Sequence, residues 1–127
     1  MVTFTLIPEQ PELHPEERDY MAGILKHDMP ERYHLWVWVV MNDHVHAVLT
    51  PQRDWQLSQI LHTWKSFSAN QLQRKFNRRG QIWLHESHDR LIRDEEELRQ
   101  KCNYVLTNPQ RRWPEVKEYP WCGYEWM

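Results

Sequence analysis

Two runs of strand-forming residues, 33–41 and 44–51, are separated only by the dipeptide Asn42-Asp43, and this arrangement constrains the fold more than any other feature. A two-residue turn of this composition is typical of a tight β-hairpin. The turn sets a register that pairs Met41 with His44, Val39 with His46 and Val37 with Val48, all on one side of the ribbon. The other side is apolar too, with Trp36, Trp38, Val40, Val45, Ala47 and Leu49. A ribbon that is apolar on both faces predicts a sheet with helices packed on both sides.

The remaining segments predict a first strand, a short candidate strand and three helices. Residues 2–6 alternate as a half-buried strand does, and residues 81–84 form the short candidate. Helices are predicted from Pro15 to about residue 27, from 57 to about 76, and from 94 to 108. Asp94 is the expected N-cap of the last helix, and Pro109 prevents its easy continuation. We therefore expect an α+β fold in one domain, residues 1–127.

The composition indicates a globular protein with an uneven distribution of charge. Hydrophobic residues make up 40%, and the net charge is −2. Residues 1–31 carry seven acidic side chains against two basic ones, whereas residues 55–93 carry seven basic against two acidic ones. A local positive field suits a phosphate backbone, although a solvated helix face explains the charge equally well. No membrane-length apolar run or signal pattern is visible, so we expect an intracellular location.

The tryptophans and cysteines leave several assignments open. Trp36, Trp38 and Trp64 occupy patterned positions typical of a core. Four others lack a pattern and are open between packing and contact with DNA bases: Trp83, Trp113, Trp121 and Trp126. Cys102 and Cys122 lack metal-site spacing, and we interpret them as buried thiols.

His44-Val45-His46 places two imidazoles two residues apart on a predicted strand. Side chains at positions i and i+2 project from the same face, so both rings can reach one metal ion. The alternative is a pair of hydrogen-bonded histidines in the core or at the sheet edge. The spacing alone does not choose between the two interpretations.

Tyr104 and Asn108 lie four residues apart on the last predicted helix and are expected to point the same way. Tyr104 offers a hydroxyl, and Asn108 offers an amide oxygen that could complete a metal site. Both residues also have structural interpretations, since a tyrosine in this context packs and an asparagine before a proline ends a helix.

Five stretches of the chain together resemble the single-tyrosine transposases with a His-hydrophobe-His motif, and within them the REP-associated tyrosine transposases. They are residues 39–46, 64–71, 92–98, 104–109 and 119–121. The resemblance implies a ferredoxin-like antiparallel sheet with helices on both faces, of the HUH-endonuclease type. It implies that His44 and His46 bind a divalent metal and that Tyr104 is the nucleophile. Asn108 falls where relatives place a polar third ligand, commonly glutamine.

The resemblance also implies a reaction and its partners. Tyr104 attacks single-stranded or hairpin DNA, leaving a 5′-phosphotyrosine and a free 3′-hydroxyl, with Mg²⁺ or Mn²⁺ as the metal. The basic side chains expected to contact DNA are Lys65, Arg74, Lys75, Arg78, Arg79 and Arg93. The tyrosine helix must then pack on the sheet face that bears the histidines. We expect a monomer or homodimer in the bacterial cytoplasm, associated with the nucleoid and not with a membrane.

Three other functions stay open from the sequence. The first is a domesticated relative that binds DNA hairpins without cutting them. The second is a nickase of the replication-initiator or relaxase type, which shares the metal and tyrosine chemistry. The third is an unrelated metal-binding or RNA-processing domain with a ferredoxin-like fold.

Overall fold

The computed structural model describes residues 1–125 of the chain, and nine elements follow one another in that part. They are β1 (Val2–Thr5), α1 (Pro15–His27), β2 (Tyr33–Val40), β3 (His44–Pro51), α2 (Leu57–Lys75), β4 (His88–Asp89), α3 (Glu95–Leu106), α4 (Asn108–Arg112) and β5 (Cys122–Tyr124). α1 begins at a proline and carries acids in its first turn, as predicted. Asp94 caps α3 by accepting a hydrogen bond from the Glu97 N–H at 2.8 Å.

The strands form one sheet in the order β4-β1-β3-β2-β5, and each neighbouring pair is antiparallel. The hairpin register is confirmed, because Val39 pairs with His46 and Val37 with Val48. The predicted α+β class, an antiparallel sheet with helices on both faces, is also confirmed. The histidine-bearing strand β3 lies at the centre of the sheet.

Each face of the sheet has its own hydrophobic core. The first, here called the α1/α2 core, lies under α1 and α2 and includes Phe4, Leu25, Trp64 and Leu72. The second, the α3 core, is smaller and is formed by Val37, Val39, Met41, Val48, Cys102 and Val105. The predicted layering therefore holds: the alternating side chains of β2 and β3 are divided between two helical layers.

One residue of the hairpin lies on the opposite face from its prediction. The pairing shifts between Leu35 and Val37, so Trp36 is an extra residue on β2. Such a β-bulge turns the extra side chain out of strict alternation. Trp36 consequently packs against the α3 core instead of sharing a face with Trp38, and its indole N–H donates to Thr50 Oγ1 at 2.9 Å.

One predicted strand and one predicted helix boundary were wrong. Residues 81–84 do not form a strand; they make an isolated bridge between Leu6 and Trp83, while Ile82 and Trp83 are buried as packing residues. The predicted helix 94–108 ends at Leu106, and α4 begins at Asn108. Proline cannot donate a backbone hydrogen bond and its ring clashes with the preceding turn, which explains why α3 stops ahead of Pro109.

Three of the four tryptophans without a sequence pattern pack on the protein itself. Trp83 lies edge-on to Phe4 with centroids 4.8 Å apart, and its indole donates to Ser68 Oγ. Trp113 and Trp121 are half-buried, and each ring contacts Tyr119. Trp126 lies outside the described residues.

Cys102 is buried and Cys122 half-buried, and both are free thiols. None of the helices within residues 1–125 is long and apolar enough to cross a bilayer.

Candidate active site

His44 and His46 lie at the start of β3, directly after the hairpin turn. β1 pairs with β3 so that Thr5 is opposite His44 and Thr3 is opposite His46. The two imidazole rings contact each other, with centroids 4.6 Å apart and planes at 77°. The structure therefore places both rings on one face, as the strand alternation predicts.

Each histidine has its Nδ1 atom engaged by an oxygen. Thr3 Oγ1 lies 2.7 Å from Nδ1 of His46, and Asp43 Oδ1 lies 2.7 Å from Nδ1 of His44. Contacts of this kind fix the orientation of a metal-binding histidine and its tautomer. In both rings Nε2 is then the nitrogen suited to bind a metal. Neither oxygen was predicted, although alternation along β1 places Thr3 on the histidine face.

His46 is held in the neutral form that a metal ligand requires. The ring is 7% exposed, and its burial is the largest cause that lowers its pKa from 6.5 to about 4. The neighbouring His44 and the guanidinium of Arg111 lower it further. Protonation would therefore not compete with a metal ion for His46 near neutral pH.

Tyr104 is carried to the histidines by α3. The helix packs on the α3 core through Cys102 and Val105, the core to which Val37 and Val39 belong. The Tyr104 ring lies 5.8 Å from the His46 ring, with planes at 74°, and its side chain is 44% exposed. The geometric requirement stated from the sequence is met, because the tyrosine helix covers the face that bears the histidines.

Arg111 lies at the site and was not predicted from the sequence. Its guanidinium carbon lies 4.1 Å from the centroid of the Tyr104 ring, and Nη2 donates to the Tyr104 carbonyl at 2.6 Å. Arg111 belongs to α4, the short helix that was not predicted. A spacing of seven residues from Tyr104 is about two helical turns, and this was the available signal.

Asn108, the predicted third metal ligand, occupies a different position from the one expected. It is the first residue of α4 and is 8% exposed, whereas Tyr104 is half-exposed on α3. The two residues thus belong to two helices instead of one. A role for Asn108 as a ligand stays a prediction.

Arg78 is buried, although it was expected on a DNA-binding surface. It is 8% exposed, and its guanidinium donates to both carboxylate oxygens of Glu17, at 2.6 and 2.8 Å. The remaining donors reach the side chain of Gln10 and the carbonyls of Pro11 and Glu12. All five N–H groups of this arginine are therefore used within the protein.

Lys65 is also engaged by the protein. Its ammonium group donates to the carbonyls of Leu84 and His85 and to Ser87 Oγ, at 2.7, 3.1 and 2.8 Å. Burial lowers its pKa. These three bonds match the donor capacity of an ammonium group, so Lys65 anchors the loop after residue 83.

The exposed basic residues are distributed over both helical layers. Arg74, Lys75 and Arg79 lie at the end of α2 and in the turn that follows, on the opposite sheet face from the histidines. Lys75 Nζ also lies 5.0 Å from the centroid of the Tyr20 ring. Arg93 is exposed just before α3, in the layer of the candidate site. Of the six predicted DNA contacts, these four remain accessible.

The side chains at this site fit a divalent metal ion whose remaining ligands are oxygen atoms outside the histidine pair. Two imidazoles with engaged Nδ1 atoms supply two nitrogen donors. Within residues 1–125, no group of three or more His, Cys, Asp or Glu side chains could hold an ion. The remaining ligands would be neutral oxygens or phosphate oxygens, as is common for Mg²⁺ at phosphate-processing sites.

The chain matches one known protein family and is similar to a solved structure. A profile of the family described as "Transposase IS200 like" matches residues 13–105, which include His44, His46 and Tyr104 but not Asn108. The chain is similar in structure to one described as "Structure of the REP associates tyrosine transposase bound to a REP hairpin". The TM-score is 0.71 at 22% identity, over 95% of this chain and 73% of that chain. The chain matches no curated protein. Because the family profile spans well over half of its length, the chain belongs to the IS200-like transposase family.

Proposed function

We propose that this chain cleaves and rejoins single-stranded DNA next to a hairpin, with Tyr104 as the nucleophile and His44 and His46 as metal ligands. The observation that carries the proposal is the contact of these three rings on one face of the sheet. His44 and His46 are 4.6 Å apart, and Tyr104 lies 5.8 Å from His46. A half-exposed tyrosine next to the neutral imidazole of His46 is suited to attack a bound phosphate.

The reaction is a phosphoryl transfer in which one ester replaces another. Tyr104 Oη forms a bond to the scissile phosphorus and gives its proton to solvent. The bond from phosphorus to the 3′-oxygen breaks, and that oxygen takes a proton to become a 3′-hydroxyl. Since the 5′-phosphotyrosine keeps the energy of the ester, a 3′-hydroxyl can reverse the step and join strands without ATP.

The two histidines are proposed to hold Mg²⁺ or Mn²⁺ through Nε2. Such a metal would polarise the phosphate and neutralise developing charge, which a weakly nucleophilic phenol requires. Thr3 and Asp43 orient the imidazoles through Nδ1. Asn108 is proposed as a further oxygen ligand, and like His46 it is largely buried.

The proposed substrate is a DNA hairpin with a single-stranded flank. The structurally similar transposase is bound to a REP hairpin, and 95% of this chain superposes on it. Four exposed basic residues are proposed to contact the phosphate backbone: Arg74, Lys75, Arg79 and Arg93. Lys65 and Arg78 are left out of this set because protein groups already occupy their donors.

The test is formation of a covalent adduct between the protein and a labelled hairpin with a single-stranded flank. Wild-type protein with Mg²⁺ or Mn²⁺ is expected to form an adduct that survives denaturing gel electrophoresis. Tyr104→Phe should abolish the adduct and leave hairpin binding intact, while Tyr124→Phe, at another exposed tyrosine, should behave as wild type. EDTA should stop the reaction.

The alternative functions give different results in the same experiment. Hairpin binding without an adduct, with either metal, would show a non-catalytic binder. An adduct that persists in Tyr104→Phe would remove Tyr104 as the nucleophile.

A further inference from the structure

We propose that Arg111 is a catalytic residue of this site and that its guanidinium binds the scissile phosphate in front of Tyr104. The inference rests on the proposed function and deepens it, because it assigns a phosphate-binding side chain that neither the sequence motifs nor the family match identifies. It starts from the placement of one guanidinium group against the ring of the proposed nucleophile.

Arg111 is held at Tyr104 by three contacts. Its guanidinium carbon lies 4.1 Å from the Tyr104 ring centroid, which is a cation–π distance. Nη2 donates to the Tyr104 carbonyl, and Nη1 donates to Thr107 Oγ1 at 2.5 Å. Thr107 Oγ1 in turn donates to the Asn103 carbonyl at 2.8 Å. The positive charge is therefore fixed beside the proposed nucleophile before DNA binds.

The guanidinium still has donors for a ligand. An arginine carries five N–H groups, and these two hydrogen bonds use one on each terminal nitrogen. The Nε–H and one N–H on each terminal nitrogen remain. In the described part of the chain, no carboxylate forms an ion pair with Arg111, and the residue is exposed. A phosphate is the ligand whose charge and geometry match such a fork.

The break between α3 and α4 explains why the arginine reaches this position. α3 stops ahead of Pro109, and α4 carries Arg111 while Thr107 links the two helices. The next residue, Arg112, has a different environment, since its guanidinium lies 5.8 Å from the Trp113 ring. Arg112 is therefore a matched control: an exposed arginine on the same short helix that does not contact Tyr104.

A guanidinium at this point would act during the attack itself. As Tyr104 Oη bonds to phosphorus, negative charge accumulates on the non-bridging oxygens, and a pre-positioned donor stabilises it without reorganisation. Loss of one such donor typically slows the chemical step about 10²–10³-fold. Arg111→Lys keeps the charge and loses the fork, so it should retain part of the rate.

The first arm of the test measures single-turnover adduct formation on the labelled hairpin. Arg111→Ala should be about 100-fold slower than wild type, and Arg112→Ala should be nearly as fast as wild type. Guanidinium ion at millimolar concentration should restore part of the rate to Arg111→Ala, which a purely structural helix-capping role would not allow. No loss of rate in Arg111→Ala, or no rescue, would overturn the assignment.

The second arm does not depend on cleavage. In Tyr104→Phe protein, the salt dependence of binding to the single-stranded flank is compared with and without Arg111→Ala. Loss of one phosphate contact should reduce the slope of log affinity against log salt by about 0.7. An unchanged slope would overturn the phosphate contact even if wild type forms no adduct. If wild type forms no adduct but Arg111→Ala still reduces the slope, only the proposed cleavage is overturned.

Discussion

The two histidines differ in the group that fixes each ring. His46 is buried and contacts a hydroxyl of the neighbouring strand, Thr3 Oγ1, whereas His44 contacts a carboxylate in the adjoining turn, Asp43 Oδ1. If Nε2 of His46 binds the metal, Nδ1 must carry the proton and donate to Thr3. A change at Thr3 therefore tests the proposed metal site without removing a proposed ligand.

We expect Thr3→Val to weaken Mn²⁺ binding about 10–100-fold, which is the usual effect of removing an orienting partner from a metal-bound histidine. Valine keeps the shape and the strand preference of threonine but cannot accept the hydrogen bond. Calorimetric titration of the protein with Mn²⁺ measures the change.

Thr5→Val provides the matched control for this variant. Thr5 lies on the same strand and faces His44 in the pairing register, but Asp43 is the group bound to His44 Nδ1. Its Mn²⁺ affinity should stay near that of wild type. Equal affinities for Thr3→Val and Thr5→Val would show that the hydroxyl of Thr3 does not support the metal site.

Among the elements, the hairpin was predictable in detail because its turn is local. Asn42-Asp43 sets the register, and the register places both histidines on one face. The two short edge strands were not predictable, since β4 has two residues and β5 has three, too few to show alternation. The end of α3 was misplaced by two residues because its stop depends on how the chain re-enters a helix after Thr107.

The residues of the candidate site were likewise predictable only in part. His44, His46 and Tyr104 were predicted from spacing and resemblance, and the structure brings them together. Arg78 was placed on the surface by its sequence neighbours, yet it is buried on Glu17, which lies 61 residues away. Partners so distant along the chain cannot be read from local patterns.

At the scale of elements we predict that α3 opens more easily than the central hairpin. Its core consists of Val37, Val39, Met41, Val48, Cys102 and Val105, and is smaller than the α1/α2 core on the other face. Regions with less buried apolar surface open at lower free energy. Native-state hydrogen exchange should show faster exchange of the Cys102 and Val105 amides than of the amides in β2 and β3. Equal opening free energies would contradict this.

For the whole molecule, the Glu17–Arg78 pair joins α1 to the turn that follows α2. Burial by itself raises the pKa of the Glu17 carboxyl, but hydrogen bonds from Arg78 and from the His14 backbone hold it below the ordinary 4.5. A carboxylate with a lowered folded-state pKa stabilises the protein above its unfolded-state pKa. That stabilisation is lost as the pH falls through the folded-state pKa.

We expect Glu17→Gln to lower the free energy of unfolding near neutral pH by about 3–5 kcal/mol, because it leaves the Arg78 charge buried without a counter-charge. The difference from wild type should shrink as the pH falls below about 4.5 and disappear below the lowered folded-state pKa, where the wild-type carboxyl is protonated as well. Urea denaturation between pH 7 and pH 3 measures it.

The exposed pair Glu95–Arg99 provides the control. Glu95→Gln should leave the free energy of unfolding nearly unchanged at every pH, since solvent screens exposed ion pairs. A difference for Glu17→Gln that stays constant down to pH 3 would show that the carboxylate charge is not what stabilises this contact.

The bulge at Trp36 has a consequence for how the length of this chain can vary. β2 has one residue more than its pairing with β3 uses, and the surplus lies between Leu35 and Val37. A chain that lacks Trp36 would alternate strictly, with Leu35 and Trp38 still on the α1/α2 core and Val37 and Val39 still on the α3 core. A deletion at Val39 would instead reverse the parity of the residues before it relative to the turn, which would move Trp38 to the face of the α3 core. Relatives that differ by one residue in this strand should therefore differ at the bulge.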